Sequence, residues 1–95
     1  MRSYELMVIH RPEMAEADVR VSVSELESAI VESGSVAGSD FWGKCRFAYE
    51  IDHMREGYYS VVDFEGDNEL VERIDRALSL SDVVVRHKIV RSGKS

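Results

Sequence analysis

The segment from Trp42 to Ile51 contains the residues with the most distinctive chemistry in this chain. Cys45, the only cysteine, lies between Lys44 and Arg46, and neighbouring cations favour the thiolate, the nucleophilic form of cysteine. The residues around it alternate between apolar and charged, as in a strand with one buried face. That alternation turns Cys45 inward and predicts a small buried hydrophobic side chain, not a nucleophile.

The three histidines supply no catalytic or metal-binding partner for it. His10 ends a strand-like segment, His53 lies in a polar loop, and His87 lies in a later apolar segment. None has the spacing to another ligand that a zinc site requires, and no glycine-rich phosphate loop follows the first strand. We therefore predict that the chain is not an enzyme and that it uses no metal, cofactor or small-molecule substrate.

Cations on an acidic chain remain as candidates for a binding function. The formal net charge is −6, which argues against nonspecific nucleic-acid binding. The charges are unevenly distributed, however, because residues 13–32 contain six acids and one base, and no acid follows Asp82. A positive surface can therefore exist on this acidic protein.

Composition predicts one globular domain. The 95 residues are 44% hydrophobic and 32% charged, which is enough for a single core. We predict a domain over residues 1–92 and a short flexible end at 93–95. No apolar run approaches the roughly 20 residues of a membrane span. A single cysteine cannot form an internal disulfide, so we expect a cytoplasmic protein without membrane contact.

Periodicity predicts four strands and two helices that position these residues. Strands are expected over 3–10, up to about 51, over 58–65 and over 83–91, with a polar turn at 52–57. A first helix over 13–33 has the core stripe Val19, Val23, Leu26 and Ile30, although a capping-box pattern at Ser24 allows a later start. Asp67 or Asn68 caps a second helix with the core stripe Leu70, Ile74, Ala77 and Leu78.

Alternation also predicts which face each strand side chain occupies. In the second strand Cys45, Phe47, Tyr49 and Ile51 are expected inward, with Lys44, Arg46 and Glu50 outward. In the third strand Tyr58, Val62 and Phe64 are expected in the core. In the last strand His87 and Ile89 are expected inward, with Arg86 and Lys88 outward.

The element order β-α-β-β-α-β predicts an α+β fold, the ferredoxin-like split βαβ arrangement. It has a four-stranded antiparallel sheet of order 4-1-3-2 with both helices on one face. The other face stays uncovered, and the second strand lies at an edge that can accept a partner.

RNA-recognition domains share this topology, but their signature is incomplete here. The window from Glu56 to Asp63 keeps the glycine, the first aromatic residue and the valine of the third-strand motif. It lacks the basic residue and two aromatic positions, so the sequence predicts no platform for stacking successive bases.

A set of motifs along nearly the whole chain resembles the family of bacterial small-subunit ribosomal protein six. The start Met1-Arg2-Ser3-Tyr4-Glu5 is similar to that family's Met-Arg-x-Tyr-Glu. Trp42-Gly43-Lys44 followed by Arg46-Phe47-Ala48-Tyr49-Glu50-Ile51 resembles its Trp-Gly-(Lys/Arg)-Arg-Arg-Leu-Ala-Tyr-(Pro/Glu)-Ile signature. Glu56-Gly57-x-Tyr59 and the segment from Leu78 to Arg91 fit the family too, and Glu50 and the tail are most similar to actinobacterial members.

The resemblance implies the fold derived above and a structural role in the small ribosomal subunit. It implies binding to the central domain of small-subunit rRNA as a heterodimer with small-subunit ribosomal protein eighteen. The chain departs from the family pattern at Cys45, where a second basic residue is usual, and at Phe47, where leucine is usual. The basic residues that we expect to contact RNA or the partner are Arg2, Lys44, Arg46, Arg86, Lys88 and Arg91.

An alternative class is a ferredoxin-like protein-interaction or small-ligand regulatory domain that pairs its sheets as a homodimer. For each of the six basic residues, a solvated cation paired across the sheet with Glu5, Glu50 or Asp63 is the alternative interpretation. Such exposed pairs contribute only about 0.2–1 kcal/mol each.

Overall fold

The computed structural model describes residues 2–51 and 53–92. Its elements are β1 (Arg2–His10), α1 (Glu16–Val31), β2 (Ser35–Ile51), β3 (Met54–Gly66), α2 (Asn68–Ser79) and β4 (Val84–Arg91). Both strands of the β2–β3 hairpin are longer than predicted: β2 ends near residue 51 as predicted but already begins at Ser35, and β3 begins at Met54, inside the predicted turn, instead of at residue 58. Asp52 in the predicted turn and the predicted flexible end at 93–95 lie outside the described residues.

The sheet has the predicted topology. Its four strands are antiparallel in the order β2-β3-β1-β4, and both helices contact the same face. The ferredoxin-like α+β prediction is confirmed. β2 and β4 form the two edges, so β2 lies where the sequence placed it.

The helix α1 begins later than predicted and ends two residues earlier. Its N-cap is Ala15, which offers no side-chain cap, and Glu16 and Asp18 place negative charge at the positive end of the helix dipole. Ser24 lies in the middle of the helix, so the alternative start there is wrong. The predicted stripe is confirmed: Val19, Val23 and Ile30 are buried, and Leu26 packs partly buried against the core.

The helix α2 begins at the predicted cap. The Asp67 side chain accepts a hydrogen bond from the backbone N–H of Leu70 at 3.0 Å, and Leu70, Ile74 and Leu78 are buried. Ala77 was predicted in this stripe and is exposed. It lies at the border of the stripe, and its single methyl group is too short to reach the sheet from there.

The core lies between the helices and the side chains that β1 and β3 direct toward them. Leu6 pairs with Val62 across the two central strands, and both are fully buried. The rings of Tyr4 and Phe64 stack with their centroids 5.5 Å apart. The inward placement of Tyr58, Val62 and Phe64 is thus confirmed, and fully burying such side chains stabilises the fold by about 1.5–3 kcal/mol each.

A β-bulge in β2 reverses part of the predicted facing. Phe41 pairs with Ser60 and Gly43 pairs with Tyr59, so Trp42 is an extra residue in β2. Gly43 takes φ +81°, a left-handed conformation that costs other residues roughly 1–2 kcal/mol. Because strand side chains alternate with a period of two, one extra residue moves every later side chain to the opposite face.

The prediction for residues 44–47 is therefore wrong. Lys44 pairs with Tyr58 and places its Nζ atom 5.3 Å from that core ring, which lies on the helix side of the sheet. Arg46 shares this side. Cys45 pairs with Gly57, and a Cβ atom on Gly57 would meet the side chains of Ile9 and Phe47 on the opposite face. Cys45 and Phe47 are accordingly half-buried on the sheet face away from the helices.

Tyr49 was also predicted in the core and is 84% exposed. After the pair Arg46–Glu56 the next pair is Ile51–Met54, so four residues of β2 lie opposite Arg55 alone. This irregularity, the third in β2 after the shifts between Val36 and Gly38 and between Phe41 and Gly43, leaves the backbone around Tyr49 outside the ladder. An ion pair between Arg55 Nε and Glu50 Oε2 at 3.2 Å spans the irregularity.

His10 is a buried imidazole at the end of β1. It is 1% exposed, and its Nε2 atom lies 2.9 Å from Ser22 Oγ on α1. Its Nδ1 atom has no hydrogen-bond partner among the described residues. Burial away from water lowers the pKa of His10 from its usual value of 6.5, because the imidazolium would lose its hydration.

We expect Gly43→Ala to lower the free energy of unfolding by about 1–2 kcal/mol, because alanine is strained at positive φ. Gly38→Ala is the matched control. It lies in the same strand without positive φ, and an added Cβ would make an ordinary 3.7 Å contact with Asp63. Urea denaturation of the two variants measures the difference, and an equal change in both would contradict the role given to the bulge.

We also expect stability to fall as the pH drops below about 6.5, the ordinary histidine pKa. The folded pKa of His10 is lowered, so the unfolded chain binds the proton more strongly and acid favours unfolding. Urea denaturation between pH 7.5 and 5.5 should show a steeper loss for the native chain than for His10→Gln. His53→Asn, at an exposed position, should keep the native slope; identical slopes in all three would refute this assignment.

Candidate partner and nucleic-acid interface

The sheet face away from the helices, called the open face below, carries a mixed apolar and charged surface. Cross-strand pairing and the bulge place these side chains on it. They are Glu5, Met7, Ile9, Asp40, Trp42, Cys45, Phe47, Tyr59, Val61, Asp63, Glu65, Arg86 and Lys88. No helix of the described chain covers this face.

Two aromatic side chains form the centre of the open face. Trp42 stacks on Tyr59 with ring centroids 4.8 Å apart, and Trp42 remains 58% exposed. The Tyr59 hydroxyl donates to Met7 Sδ at 3.2 Å, and the Trp42 indole N–H donates to Asp40 Oδ2 at 3.1 Å. These contacts fix the orientation of both rings at the surface.

The end of β2 curls over one side of the open face and forms a groove there. Phe47 approaches Ile9, which is only 8% exposed although no helix covers it. The groove encloses about 490 Å³ and is lined by Ile9, Phe47, Ala48, Tyr49, Glu50, Ile51, Tyr59 and Arg86. It is mainly apolar, with Arg86 as its cation.

Charges on the open face are separated along the sheet. Asp63 pairs with Glu5 in one cross-strand row, and in that row β4 contributes only Val90. In the next two rows Lys88 pairs with Met7, and Arg86 pairs with Ile9. One end of the face is therefore acidic, and the β4 edge at the other end is basic.

The six predicted basic residues do not form one cluster. Arg86 and Lys88 project from β4 onto the open face, as predicted, and all six side chains are exposed. Lys44 and Arg46 project from the other edge strand on the helix side, about 14 Å from β4 across three strand spacings. Arg2 and Arg91 lie at the opposite end of the sheet, near the start of α2.

These six cations are available for a partner. None of them forms an ion pair within 4.0 Å with any residue that the structure describes, whereas Arg11, Arg20 and Arg55 each have an acidic partner. The predicted cross-sheet pairing with Glu5, Glu50 or Asp63 is thus absent among the described residues. Glu50 binds Arg55 instead.

The other polar side chains considered above, His87 and Cys45, make structural contacts. His87 faces the helices, as predicted, and its Nε2 atom lies 2.7 Å from Asp75 Oδ1 on α2. Cys45 is half-buried, with its Sγ atom 3.6 Å from the carbonyl oxygen of Gly43. Within residues 2–51 and 53–92, no three His, Cys, Asp or Glu side chains converge to hold a metal ion.

Neither α1 nor α2 has the length and apolar character to cross a bilayer.

Comparison with known proteins identifies the family of this chain. The sequence model described as "Ribosomal protein S6" matches residues 3–91. The chain belongs to the ribosomal protein S6 family. It is 44% identical to the Symbiobacterium thermophilum protein named "Small ribosomal subunit protein bS6", over 96% of this chain and 97% of that one. It is equally identical to the Beutenbergia cavernae protein of the same name, over 96% of each.

A solved structure agrees with the sequence comparison. The crystal structure of 30S ribosomal protein S6 from Thermotoga maritima superimposes with a TM-score of 0.89 at 27% identity. The match covers 95% of this chain and 86% of the Thermotoga chain. The family resemblance that we inferred from the motifs is confirmed, and so is the ferredoxin-like fold.

Membership of the S6 family establishes a structural, non-enzymatic role in the small ribosomal subunit, and hence a cytoplasmic location. The prediction that the chain is not an enzyme is thereby confirmed.

Sequence reasoning missed that Trp42 and Phe47 lie on the open face. The available signal was Gly43 directly after Trp42, because a glycine inside a strand pattern often marks a bulge.

Substitution of Trp42 measures how much its stack with Tyr59 contributes to stability. We expect Trp42→Ala to lower the free energy of unfolding by about 1 kcal/mol, the value of an aromatic pair plus its partial burial. Asp40→Ala is the control, since it removes the hydrogen bond to the indole and leaves the stack intact. Thermal unfolding followed by circular dichroism measures both; a larger loss for Asp40→Ala would show that the stack contributes little.

Proposed function

We propose that the chain binds the central domain of small-subunit rRNA as a heterodimer with small-subunit ribosomal protein eighteen. The observation that carries the proposal is the set of six exposed cations without an acidic partner among the described residues. Exposed ion pairs contribute little to stability, so these cations can bind external phosphates without cost to the fold, although the chain has a net charge of −6.

The positions of the cations support recognition of RNA shape over recognition of bases. Arg2 and Arg91, Lys44 and Arg46, and Arg86 and Lys88 form three separate pairs at two ends and two edges of the sheet. Phosphates spaced along a folded RNA can meet such separated charges, and phosphate contacts fix position without reading sequence.

The net charge explains the need for a second protein. A chain of net charge −6 is repelled by RNA at long range, so a few local phosphate contacts give weak binding. A basic partner removes this repulsion and adds phosphate contacts of its own. Protein eighteen as a heterodimer partner fits that requirement.

A titration tests both parts of the proposal. A central-domain rRNA fragment is titrated with the native chain, with and without protein eighteen, at several salt concentrations. We expect affinity to rise markedly when protein eighteen is present. Equal affinity in its presence and absence would contradict the heterodimer, and no binding in either case would contradict the RNA function.

In the same assay, Arg46→Gln should weaken rRNA binding by the heterodimer. It should lower the slope of log affinity against log salt by about 0.9, the value for one lost phosphate contact. Arg76→Gln is the matched control, because Arg76 is exposed on α2 away from the three cation pairs. Arg46 is exposed, so its removal should change the free energy of unfolding by no more than about 0.5 kcal/mol. A native salt slope for Arg46→Gln would exclude this contact.

Sedimentation separates this proposal from the homodimeric regulatory domain. The native chain in a cell lysate should sediment with small ribosomal subunits. A chain that sediments only as a free homodimer would favour the regulatory domain.

A further inference from the structure

We propose that the outer face of α1 is a docking surface for one basic amphipathic helix of a third protein, distinct from protein eighteen. This face points away from the sheet that carries the six cations, so it is free when they hold RNA. The inference goes beyond the proposed function and does not rest on it. The partner is defined by its chemistry, an apolar stripe with lysine or arginine on both sides.

A regular row of exposed side chains, called the α1 seam below, runs along this outer face. Its members are separated by four, three, four and three residues: Ala17, Val21, Ser24, Ser28 and Val31. Such spacing is that of the a and d positions of a coiled coil, which meet a second helix. The buried residues Val19, Val23 and Ile30 lie on the opposite side of α1, because each residue turns the helix by about 100°.

Apolar side chains on the α1 seam set α1 apart from α2. Val21 and Val31 are 55% and 60% exposed, and both lie on the seam. A helix that packs on one sheet needs an apolar stripe on one side only. The exposed residues of α2 fit that rule, since all are polar except Ala77. The second apolar side of α1 is therefore a surface without a partner in the described chain.

A groove on the α1 seam has the arrangement that receives a side chain of a second helix. Its volume is about 360 Å³, and it is lined by Ser24, Glu27, Ser28, Val31 and, from β2, Val36. The four helix residues are at positions i, i+3, i+4 and i+7, and four such residues surround each inserted side chain in a coiled coil. The small side chains of Ser24 and Ser28 leave room for leucine. The Ser39 hydroxyl donates a hydrogen bond to Glu27 and holds this carboxylate at the rim.

Acidic side chains flank the α1 seam and determine the charge of the partner. One flank consists of exposed acids, each directly after a d position: Asp18, Glu25 and Glu32. The other flank has Glu27 and Arg20, and Arg20 is already paired with Glu16 at 3.1 Å. Flanking charges of this kind select partners in coiled coils, so lysine or arginine at the flanks of the second helix is complementary.

The same charges argue against a second copy of this chain and against RNA. Two α1 helices packed on each other would bring their acidic flanks together, and each copy carries a net charge of −6. RNA would bring phosphates to the same carboxylates. The seam spans two heptads, roughly 21 Å of helix, so the interface belongs to the small, transient class.

A synthetic helix of three heptads tests the surface. It carries leucine at its a and d positions and lysine at its e and g positions, and it is titrated into the full chain labelled with ¹⁵N. We expect the backbone amide signals of Val21, Ser24 and Ser28 to shift, and those of Met7 and Val61 on the open face to stay unchanged. The same peptide with glutamate in place of lysine should shift none of them. Equal binding of both peptides, or shifts confined to the open face, would overturn the inference.

Substitutions on α1 test the groove and the flank. Ser28→Tyr fills the groove and should weaken binding of the lysine peptide by about tenfold or more. Ala29→Tyr is the matched control, because it adds the same side chain at an exposed position outside the seam, and it should bind as the native chain does. Glu25→Lys keeps the inference testable if Ser28→Tyr misfolds; it should also weaken binding, and more strongly at low salt. Native affinity of both Ser28→Tyr and Glu25→Lys would refute the site.

The other possible occupants are tested in the same spectra. Shifts of the seam signals on addition of protein eighteen or of the rRNA fragment alone, or with rising concentration of this chain, would assign the seam to that occupant and overturn the inference. The lysine peptide should still shift these signals in the heterodimer with protein eighteen. Loss of the shifts there would contradict a face that is free for a third protein, whereas the proposed function is tested separately by the rRNA titration.

Discussion

The left-handed backbone at Gly43 is the constraint on which the functional surface depends. It allows Trp42 to be an extra residue in β2, and every side chain after it changes face. Without this bulge, Lys44 and Arg46 would lie on the open face and Phe47 would compete for space in the core. With it, the cations of β2 lie beside the helices, and the open face gains its aromatic centre.

This arrangement separates two kinds of surface on one small domain. The helix side buries the core and carries most acids on its outer surface, while unpaired cations lie at the sheet edges and ends. The open face holds the stacked rings of Trp42 and Tyr59 between an acidic end and a basic edge. Under the proposed function, this acidic member of the S6 family contributes to a ribonucleoprotein through a few phosphate contacts and its protein partner, instead of through overall positive charge.

Much of the fold follows from sequence because it rests on periodic patterns of buried side chains. Apolar residues such as Leu6, Val62 and Ile30 belong to patterns that recur with the period of a strand or a helix. Short connections then leave few topologies for six elements in this order. The facing of β2 could not be predicted in the same way. Alternation assumes an unbroken strand, so it fails at the three register shifts of β2, which lie before Gly38, at Gly43 and near Tyr49. The candidate cations were recognisable by type and by family motif, but their grouping into three separate pairs depends on strand register, which the sequence does not show.

Hydroxyl-radical footprinting of the chain in purified small ribosomal subunits, compared with the free protein, measures the central claim most directly. Met7 and Trp42 are readily oxidised side chains on the open face, and Leu80, 77% exposed beyond α2, is the internal reference. The account predicts strong protection of Met7 and Trp42 in the subunit relative to Leu80. Equal oxidation of Met7 and Trp42 in the free and subunit-bound protein, or absence of the chain from the subunits, would contradict it.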